Sequence, residues 1–157
     1  HTQTYWEKLK HVGTAEPKLM AEDLVYFGVR DTEEPEDMLI ERLGIKNYQV
    51  GEVRAKHVEQ CVKEVFEQLK NCDILYVSFD VDSMDSEKIS EGTGTPVPEG
   101  FFPFEVTLLL QELIRSEKVV CMEVVEVNPL LDHHGNRMAE VTFDILEQVA
   151  PVIESTD

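Results

Sequence analysis

The stretch Ile74–Asp85, which reads ILYVSFDVDSMD, constrains the fold of this chain more than any other segment. It begins with mostly apolar residues, and three aspartates follow close together. A short apolar run bounded by polar residues is typical of a buried strand. Side chains two positions apart on a strand point to the same face, so Asp80 and Asp82 are predicted to project together. We therefore predict a buried strand that delivers two carboxylates to one edge of a sheet, where divalent Mn²⁺ or Mg²⁺ would neutralise them.

Three other interpretations of the aspartates compete with a metal site. An EF-hand requires a ligand and an invariant glycine at the places where this chain has Met84 and Asp85, and the preceding segment has the pattern of a strand. We reject that interpretation. An ordinary acidic loop, and a structural carboxylate cluster in which Asp85 caps a turn, both remain open.

Charge and cysteine content exclude several classes of function. The 32 acidic and 14 basic residues give a net charge of −18. This charge disfavours binding to nucleic acid and to anionic membranes, and it favours cationic ligands. The three cysteines form neither a disulfide framework nor a zinc motif, as expected of reduced thiols in a cytosol. No signal peptide or membrane-spanning run is found, so we expect a cytoplasmic protein.

Strand and helix patterns alternate along the chain. This alternation predicts an α/β fold with a mostly parallel sheet covered by helices on both faces. Right-handed crossovers place the carboxyl ends of parallel strands at one edge, so we expect Asp31, Asp80 and Glu126 to lie there, with the strand before Asp80 in a central position. Strands are predicted at 23–29, 48–50, 74–80 and 119–127, an acidic loop at 32–37, and helices at 5–9, 38–43, 58–69, 105–115 and 137–153.

Glu126 stands near the end of an otherwise apolar strand, directly before Val127 and Asn128-Pro129. A buried glutamate is costly unless it is paired. One interpretation is a structural ion pair with Arg30 or Arg137. The other is that Glu126 receives a cationic ligand beside the metal.

Three motifs carry a resemblance to a known family. They are SFDVDSMD at Ser78–Asp85, GTGTP at Gly92–Pro96 and EVNP at Glu126–Pro129. In order and spacing they resemble motifs of the arginase/agmatinase (ureohydrolase) family, and VYFGVRD at Val25–Asp31 and LLDHHGNRMAE at Leu130–Glu140 add to the likeness. The two upstream metal-binding motifs of that family, G-G-D-H-S and D-A-H-x-D, are missing. The resemblance therefore implies that residues 1–157 are the C-terminal part of a single ureohydrolase domain with a three-layer α/β/α, arginase/deacetylase-like fold.

The resemblance also implies a reaction and a set of site residues. The family hydrolyses a guanidino group and releases urea, using two Mn²⁺ ions that activate a water molecule. By motif match, Asp80 and Asp82 are metal ligands, and Glu126 is the catalytic residue that pairs with the guanidinium of the substrate. Thr95 lines the same pocket as a substrate-binding residue. The acidic segment that begins at Asp31 resembles a loop that holds the α-amino group of arginine.

The specific activity implied is hydrolysis of arginine to ornithine and urea. Agmatinase, guanidinobutyrase and formimidoylglutamase activities stay open as alternatives, as does a non-catalytic fragment or interaction module. We expect a small cationic guanidino substrate, no nucleic-acid or membrane partner, a homo-oligomer at full length, and an inactive isolated chain because the other ligands lie upstream. His1–Gln3 is similar to an H-G-Q segment whose histidine assists proton transfer, whereas His133 and His134 are expected on the surface.

Overall fold

The computed structural model describes residues 2–13 and 19–155, so the predicted role of His1 falls outside the described part. The elements follow one another as α1 (Thr2–Lys10), β1 (Val25–Phe27), α2 (Glu34–Leu43), β2 (Lys46–Tyr48), α3 (Val50–Lys56), α4 (Val58–Gln68), β3 (Leu75–Asp80), α5 (Pro103–Ile114), β4 (Val119–Val125) and α6 (Arg137–Glu154). Short 3₁₀ turns span Ala21–Asp23 and Val81–Ser83.

The strands pair in parallel, as the alternation of strands and helices predicts. β1 pairs with β2, and β3 pairs with β4, with Tyr76 opposite Cys121 and Asp80 opposite Val125. The α/β class is therefore confirmed. The expected central position of β3 is wrong for the part of the chain that the structure describes, because β3 pairs with β4 alone and forms no ladder with β1. The strand that would fill its second edge is not among the described elements.

The core lies between one face of the β3–β4 pair and the helices. Leu75, Val77 and Phe79 alternate along β3 and pack towards the core. The predicted apolar face of α4 is buried, as are the facing sides of α5 and α6, because each carries apolar residues at three- and four-residue spacing. The residues buried from these helices include Cys61, Val62, Val65, Val106, Leu109, Leu110, Met138, Val141, Ile145 and Val149.

The acidic stretch predicted as a loop over 32–37 is instead partly helical, because α2 begins at Glu34. A capping box forms between Glu33 and Glu36, in which the Glu36 carboxylate accepts from the Glu33 amide at 2.9 Å. Pro35 in the first turn has no backbone N–H and so leaves no donor unpaired there. The acidic residues of this turn stabilise the helix by their favourable interaction with its dipole. The sequence carried this signal, in the form of a proline and several glutamates ahead of the apolar positions.

Helix α3 was also not predicted, and it packs against α5 through an ion pair. Arg54 donates to both carboxylate oxygens of Glu105, with Nε–Oε1 at 2.7 Å and Nη2–Oε2 at 2.9 Å. His57, at a φ of 68°, separates α3 from α4 and is exposed. A seven-residue helix has too few turns for its period to be recognised in the sequence.

Substituting Gly100 by alanine is expected to destabilise the fold by about 2–4 kcal/mol. A Cβ at Gly100 would lie 2.4 Å from the carbonyl carbon of Met84 and 2.5 Å from the carbonyl oxygen of Ser83. Both are backbone atoms, and the Phe101 amide donates to the Ser83 carbonyl at 3.0 Å. Moving them apart to make room for a Cβ would therefore shift the backbone and strain this hydrogen bond. Denaturation by urea measures the loss. Gly51→Ala, in α3 with open space around it, is the control and should be neutral or stabilising by about 0.5–1 kcal/mol; equal losses in both variants would contradict this explanation.

Candidate active site

A tight turn, and not an extended strand, brings Asp80 and Asp82 together. β3 ends at Asp80, and the Asp80 Oδ1 accepts from the Asp82 amide at 3.1 Å, which caps the 3₁₀ turn Val81–Ser83. The Ser83 hydroxyl donates to the Asp80 carbonyl at 2.6 Å. The predicted convergence of Asp80 and Asp82 is therefore present, but its cause is the capped turn. Alternation along a strand, from which we predicted it, does not apply beyond Asp80.

Crowding of carboxylates changes the acidity of Asp80. The pKa of Asp80 is raised to about 6, chiefly by burial and further by the negative charges of Asp82 and Glu126, against the lowering effect of the Asp82 amide. All three carboxylates therefore lie close enough to interact at the carboxyl edge of β3 and β4. A cation bound among them would relieve the repulsion.

The pH dependence of stability is expected to report this crowding in metal-free protein. The pKa of Asp80 is raised by folding from 3.8 to about 6, so the protonated acid is favoured in the folded state. Its contribution is complete below a pH of about 4 and is lost as the pH rises through about 6. Asp80→Asn mimics the neutral acid, and because the side chain is partly exposed we expect it to stabilise the protein by only about 1–2 kcal/mol at neutral pH.

The measurement is urea denaturation of wild type and Asp80→Asn in the presence of EDTA, at a pH of about 4 and again at about 7. The difference between the two proteins isolates Asp80 from the many other carboxylates of this chain. A difference that does not change with pH would show that Asp80 ionises normally.

Glu126 lies at the carboxyl end of β4 in an unusual backbone conformation. Its φ is 66°, which non-glycine residues seldom adopt and which is often found at functional sites. The Glu126 carboxylate lies against the GTGTP loop, since a Cβ on Gly94 would be 3.2 Å from Glu126 Oε2. The side chain is exposed. In the described part of the chain it forms no ion pair with Arg30 or Arg137, so the structural interpretation of Glu126 is not supported.

Thr95 contacts the predicted metal ligand directly. Its hydroxyl donates to Asp82 Oδ2 at 2.9 Å. The loop that carries Thr95 is tied to the strand end by a hydrogen bond of 2.8 Å from the Asn128 amide to the Gly92 carbonyl. Thr95 thus orients one oxygen of Asp82.

Asp85 takes no part in this cluster. Its side chain is buried, and its two oxygens accept from the backbone amides of Lys88 and Glu99, each at 3.1 Å. Both oxygens are used in shaping the loop, so Asp85 supports the site from outside.

Arg30 is the site residue whose role sequence analysis missed. It donates to backbone carbonyls on both loops that border the cluster: to Asp82 and Met84 at 3.0 Å, and to Val97 at 2.6 Å. Burial lowers the pKa of Arg30, while nearby Asp82 and other carboxylates raise it. The partners lie 52 to 68 residues away in sequence, so no local spacing could have revealed them. Further carbonyl acceptors are those of Gly28, Ser83 and Pro98.

Asp31 follows Arg30 and is exposed, and no hydrogen bond joins it to Asp80, Asp82 or Glu126 within the described residues. The segment after β1 instead borders a separate hollow of about 300 Å³. The substrate-binding role of Asp31 stays a prediction. The hollow is lined by Val29, Arg30, Thr32, Asp37, Ile40, Glu41, Asn47 and Gln49.

The two histidines that precede α6 lie on the surface, as predicted. His133 and His134 are exposed, and the nearest carboxylate to His133 is that of Glu91, with 3.8 Å between Nε2 and Oε2. Over residues 2–13 and 19–155, no three histidine, cysteine or acidic residues are arranged to hold a metal ion. Asp80 and Asp82 are thus at most part of a metal-binding set.

Comparison with known proteins identifies the family. A sequence model of the arginase family matches residues 7–150. The chain belongs to the arginase family. It is 33% identical over 144 residues to the arginase of Brevibacillus brevis, a match that covers 91% of this chain and 48% of that protein. The solved Helicobacter pylori arginase aligns over 97% of this chain and 52% of its own length, with a TM-score of 0.87 and 32% identity.

The arginase-family chain described here spans about half the length of the curated relatives it matches. A formimidoylglutamase from Bacillus subtilis shares the fold, with a TM-score of 0.77 over 86% of this chain, at only 18% identity. None of the helices in the described part is both long and apolar enough to cross a membrane.

Proposed function

We propose that this chain is the C-terminal part of a manganese-dependent ureohydrolase that converts arginine to ornithine and urea. The observation that carries the proposal is the meeting of Asp80, Asp82 and Glu126 beside the GTGTP loop at the carboxyl edge of the strands. Ligand sites of open α/β sheets lie at this edge.

The carboxylates at this edge are the type of ligand that a hard divalent cation prefers, but there are too few of them to complete its coordination shell. Asp80 and Asp82 offer oxygen donors, which Mn²⁺ accepts readily, and the negative charges of Asp82 and Glu126 add to the effect of burial in raising the pKa of Asp80, which favours a cation beside them. Two residues cannot complete a coordination shell of about six donors, even with waters. The other ligands must come from outside the described residues. When bound, Mn²⁺ supplies a water of lowered pKa as nucleophile near neutral pH.

The residues of this chain then have separate tasks. Glu126 presents an exposed carboxylate beside the metal ligands, suited to a charge-assisted, two-point contact with a planar guanidinium. Thr95 fixes the orientation of Asp82 through its hydroxyl. Binding the guanidinium against Glu126 would fix the substrate beside Asp80 and Asp82, the residues that would hold the metal, which is the positioning that hydrolysis requires.

We propose arginine as the substrate because the arginases of Brevibacillus brevis and Bacillus caldovelox each share 33% identity with this chain. Agmatinase, guanidinobutyrase and formimidoylglutamase activities remain alternatives within the same chemistry. The proposed place of the arginine α-amino group is the acidic segment from Asp31 to the start of α2. A non-catalytic fragment is the second candidate, and it is favoured by the incomplete metal-binding set of the described residues.

Glu126→Gln tests the proposed function. The substitution preserves the shape of the side chain and removes the negative charge that would face the guanidinium. It also places the NH₂ group of glutamine, a hydrogen-bond donor, against the N–H donors of the guanidinium. Loss of a charge-assisted hydrogen bond costs about 1.5–3 kcal/mol, so kcat/KM for arginine should fall by about 10- to 100-fold. The assay is urea release by the polypeptide that the complete reading frame encodes, with the Mn²⁺ content measured beside it.

The control is Glu123→Gln. Glu123 lies on the same strand, where its carboxylate accepts from the Ser78 hydroxyl at 2.9 Å, and it should retain activity. Metal content should be unchanged in both variants. Wild-type kcat/KM in Glu126→Gln, or a loss of metal from it, would contradict the assigned role.

A further inference from the structure

A buried polar contact joins the loop that carries the GTGTP motif to the segment that follows β4. Ser90 is only 1% exposed, and its hydroxyl accepts from the Gly92 amide at 2.9 Å. The same hydroxyl forms a side-chain hydrogen bond with Asp132, which lies between β4 and α6. We call Ser90 and Asp132 the brace. A buried hydroxyl that is hydrogen-bonded on both sides holds together the two backbone segments that it joins.

Asp132 is itself fixed by backbone amides. Its Oδ1 accepts from the His134 amide at 2.9 Å, and its Oδ2 accepts from the Met138 amide at 2.8 Å. Met138 lies in the first turn of α6, and Asn136, the residue before this helix, forms no side-chain cap. Asp132 therefore supplies the cap from outside the helix. The brace is thus attached to the start of a long, packed helix.

Gly92 is the point at which the brace contacts the GTGTP loop. Its amide is bound by the brace, and a Cβ on it would lie 2.7 Å from Asp132 Oδ2 and 2.8 Å from Met138 Cβ. Its carbonyl accepts from the Asn128 amide at 2.8 Å. Asn128 comes two residues after Glu126. The brace therefore sets the spacing between the loop and the backbone that follows Glu126.

The loop has a second anchor at its other end, where the Val97 carbonyl accepts from Arg30 Nη2 at 2.6 Å. Thr95, which donates to a predicted metal ligand, lies two residues before this second anchor. Gly94, which lies against the proposed catalytic carboxylate, comes two residues after Gly92. The brace therefore holds the part of the loop that faces the carboxylate, whereas Arg30 holds the part that faces the metal ligands.

We propose that Ser90 and Asp132 are positioning residues for the hydrolysis and that they act through Glu126. By holding Gly92, the brace fixes both the loop against which the Glu126 carboxylate lies and the backbone that follows it. Glu126 has a φ of 66°, and a non-glycine residue keeps such a conformation only where its surroundings impose it. The positioning role rests on the proposed function, whereas the contact itself does not.

Ser90→Ala in the polypeptide that the complete reading frame encodes tests this role, because it removes the hydroxyl and leaves Asp132 to cap α6. We expect kcat/KM for arginine to fall by about 3- to 10-fold, the equivalent of one neutral hydrogen bond, with unchanged Mn²⁺ affinity. In a Glu126→Gln background the same substitution should cause little further loss, since the carboxylate through which it acts is absent. The control is His133→Gln, an exposed residue whose 3.8 Å contact with Glu91 joins the same two segments, and it should keep wild-type kcat/KM.

Hydrogen exchange of the same polypeptide without metal gives a readout that does not depend on activity. In Ser90→Ala, the backbone amides of residues 91–94 and 127–130 should exchange about 10-fold faster, as measured by mass spectrometry of peptides. The amides of residues 84–88, beside the second anchor, should not change. Asp132→Asn replaces one acceptor oxygen by an NH₂ donor, so it should accelerate the same segments and also lower the melting temperature by several degrees through loss of the α6 cap.

Three results would overturn the proposal. Unchanged exchange in both variants would show that the brace does not hold the loop. Faster exchange with wild-type kcat/KM would show that the contact is structural only, and a double variant whose loss equals the product of the two single losses would show that it does not act through Glu126. A wild-type polypeptide that hydrolyses no guanidino compound, while the exchange rates respond as expected, would contradict the proposed function and the positioning role with it.

Discussion

Replacing Arg30 by methionine is expected to lower the free energy of unfolding by about 3–5 kcal/mol, because several partly buried backbone carbonyls lose a charged donor at once. The guanidinium donates to backbone carbonyls of the turn after β3 and of the loop at Val97 and Pro98. Methionine fills a similar volume but offers none of these donors. The Val97 carbonyl keeps the Ser86 amide as a donor at 3.2 Å, whereas each buried group left unsatisfied costs about 1–3 kcal/mol.

The measurement for Arg30→Met is chemical denaturation of the 157-residue chain. Arg30→Lys should recover part of the loss, since an ammonium group offers three donors where the guanidinium offers five. Arg137→Met is the matched control, because Arg137 is exposed at the start of α6, and it should change stability by less than about 0.5 kcal/mol. A loss below about 1 kcal/mol for Arg30→Met would contradict this explanation, because it would show that water can replace the guanidinium and that the two loops keep their conformation without Arg30.

Replacing Asp82 by asparagine is expected to weaken Mn²⁺ binding to the complete polypeptide by more than 100-fold. Residues outside the coordination shell typically contribute about 10- to 100-fold to metal affinity, and a charged ligand contributes more. Thr95→Val removes only the hydroxyl that donates to Asp82 Oδ2 at 2.9 Å. It should therefore weaken Mn²⁺ binding by only about 10- to 100-fold. Calorimetric titration with MnCl₂ measures both variants.

The contrast between Asp82 and Glu126 separates metal binding from substrate binding. Asp82→Asn should lose metal first and activity with it, whereas Glu126→Gln should keep its metal. The 157-residue chain alone should bind Mn²⁺ only weakly, since it offers two of the proposed ligands, Asp80 and Asp82. Tight stoichiometric binding by that chain, or unchanged affinity in Asp82→Asn, would contradict the ligand assignment.

Much of the fold follows from the sequence because its long elements have clear periods. The apolar spacing of α4, α5 and α6 and the apolar run before Asp80 predicted those elements within a few residues of their observed bounds. Short elements were less predictable. Helix α3 is too short to show a period, and α2 was placed too late because acidic residues were taken as a sign of a loop.

The candidate site was predictable in its residues and less so in its mechanics. Motifs selected Asp80, Asp82, Thr95 and Glu126, and the structure brings them to one edge. Two features could not be predicted: the capped turn that joins Asp80 and Asp82, and the hydrogen bonds from Arg30 to the loop carbonyls. Both depend on backbone contacts that have no signature in the local sequence.

The measurement that tests the account most directly is urea release from arginine by the polypeptide that the complete reading frame encodes. The protein is stripped of metal with EDTA and then titrated with MnCl₂. Agmatine is assayed separately by urea release, and N-formimidoyl-glutamate, which has no guanidino group, is assayed by formamide release. We expect urea from arginine only when Mn²⁺ is restored, and none from the 157-residue chain. Preference for agmatine or N-formimidoyl-glutamate would correct the substrate, and a fully Mn²⁺-loaded protein that hydrolyses none of these compounds would contradict the account.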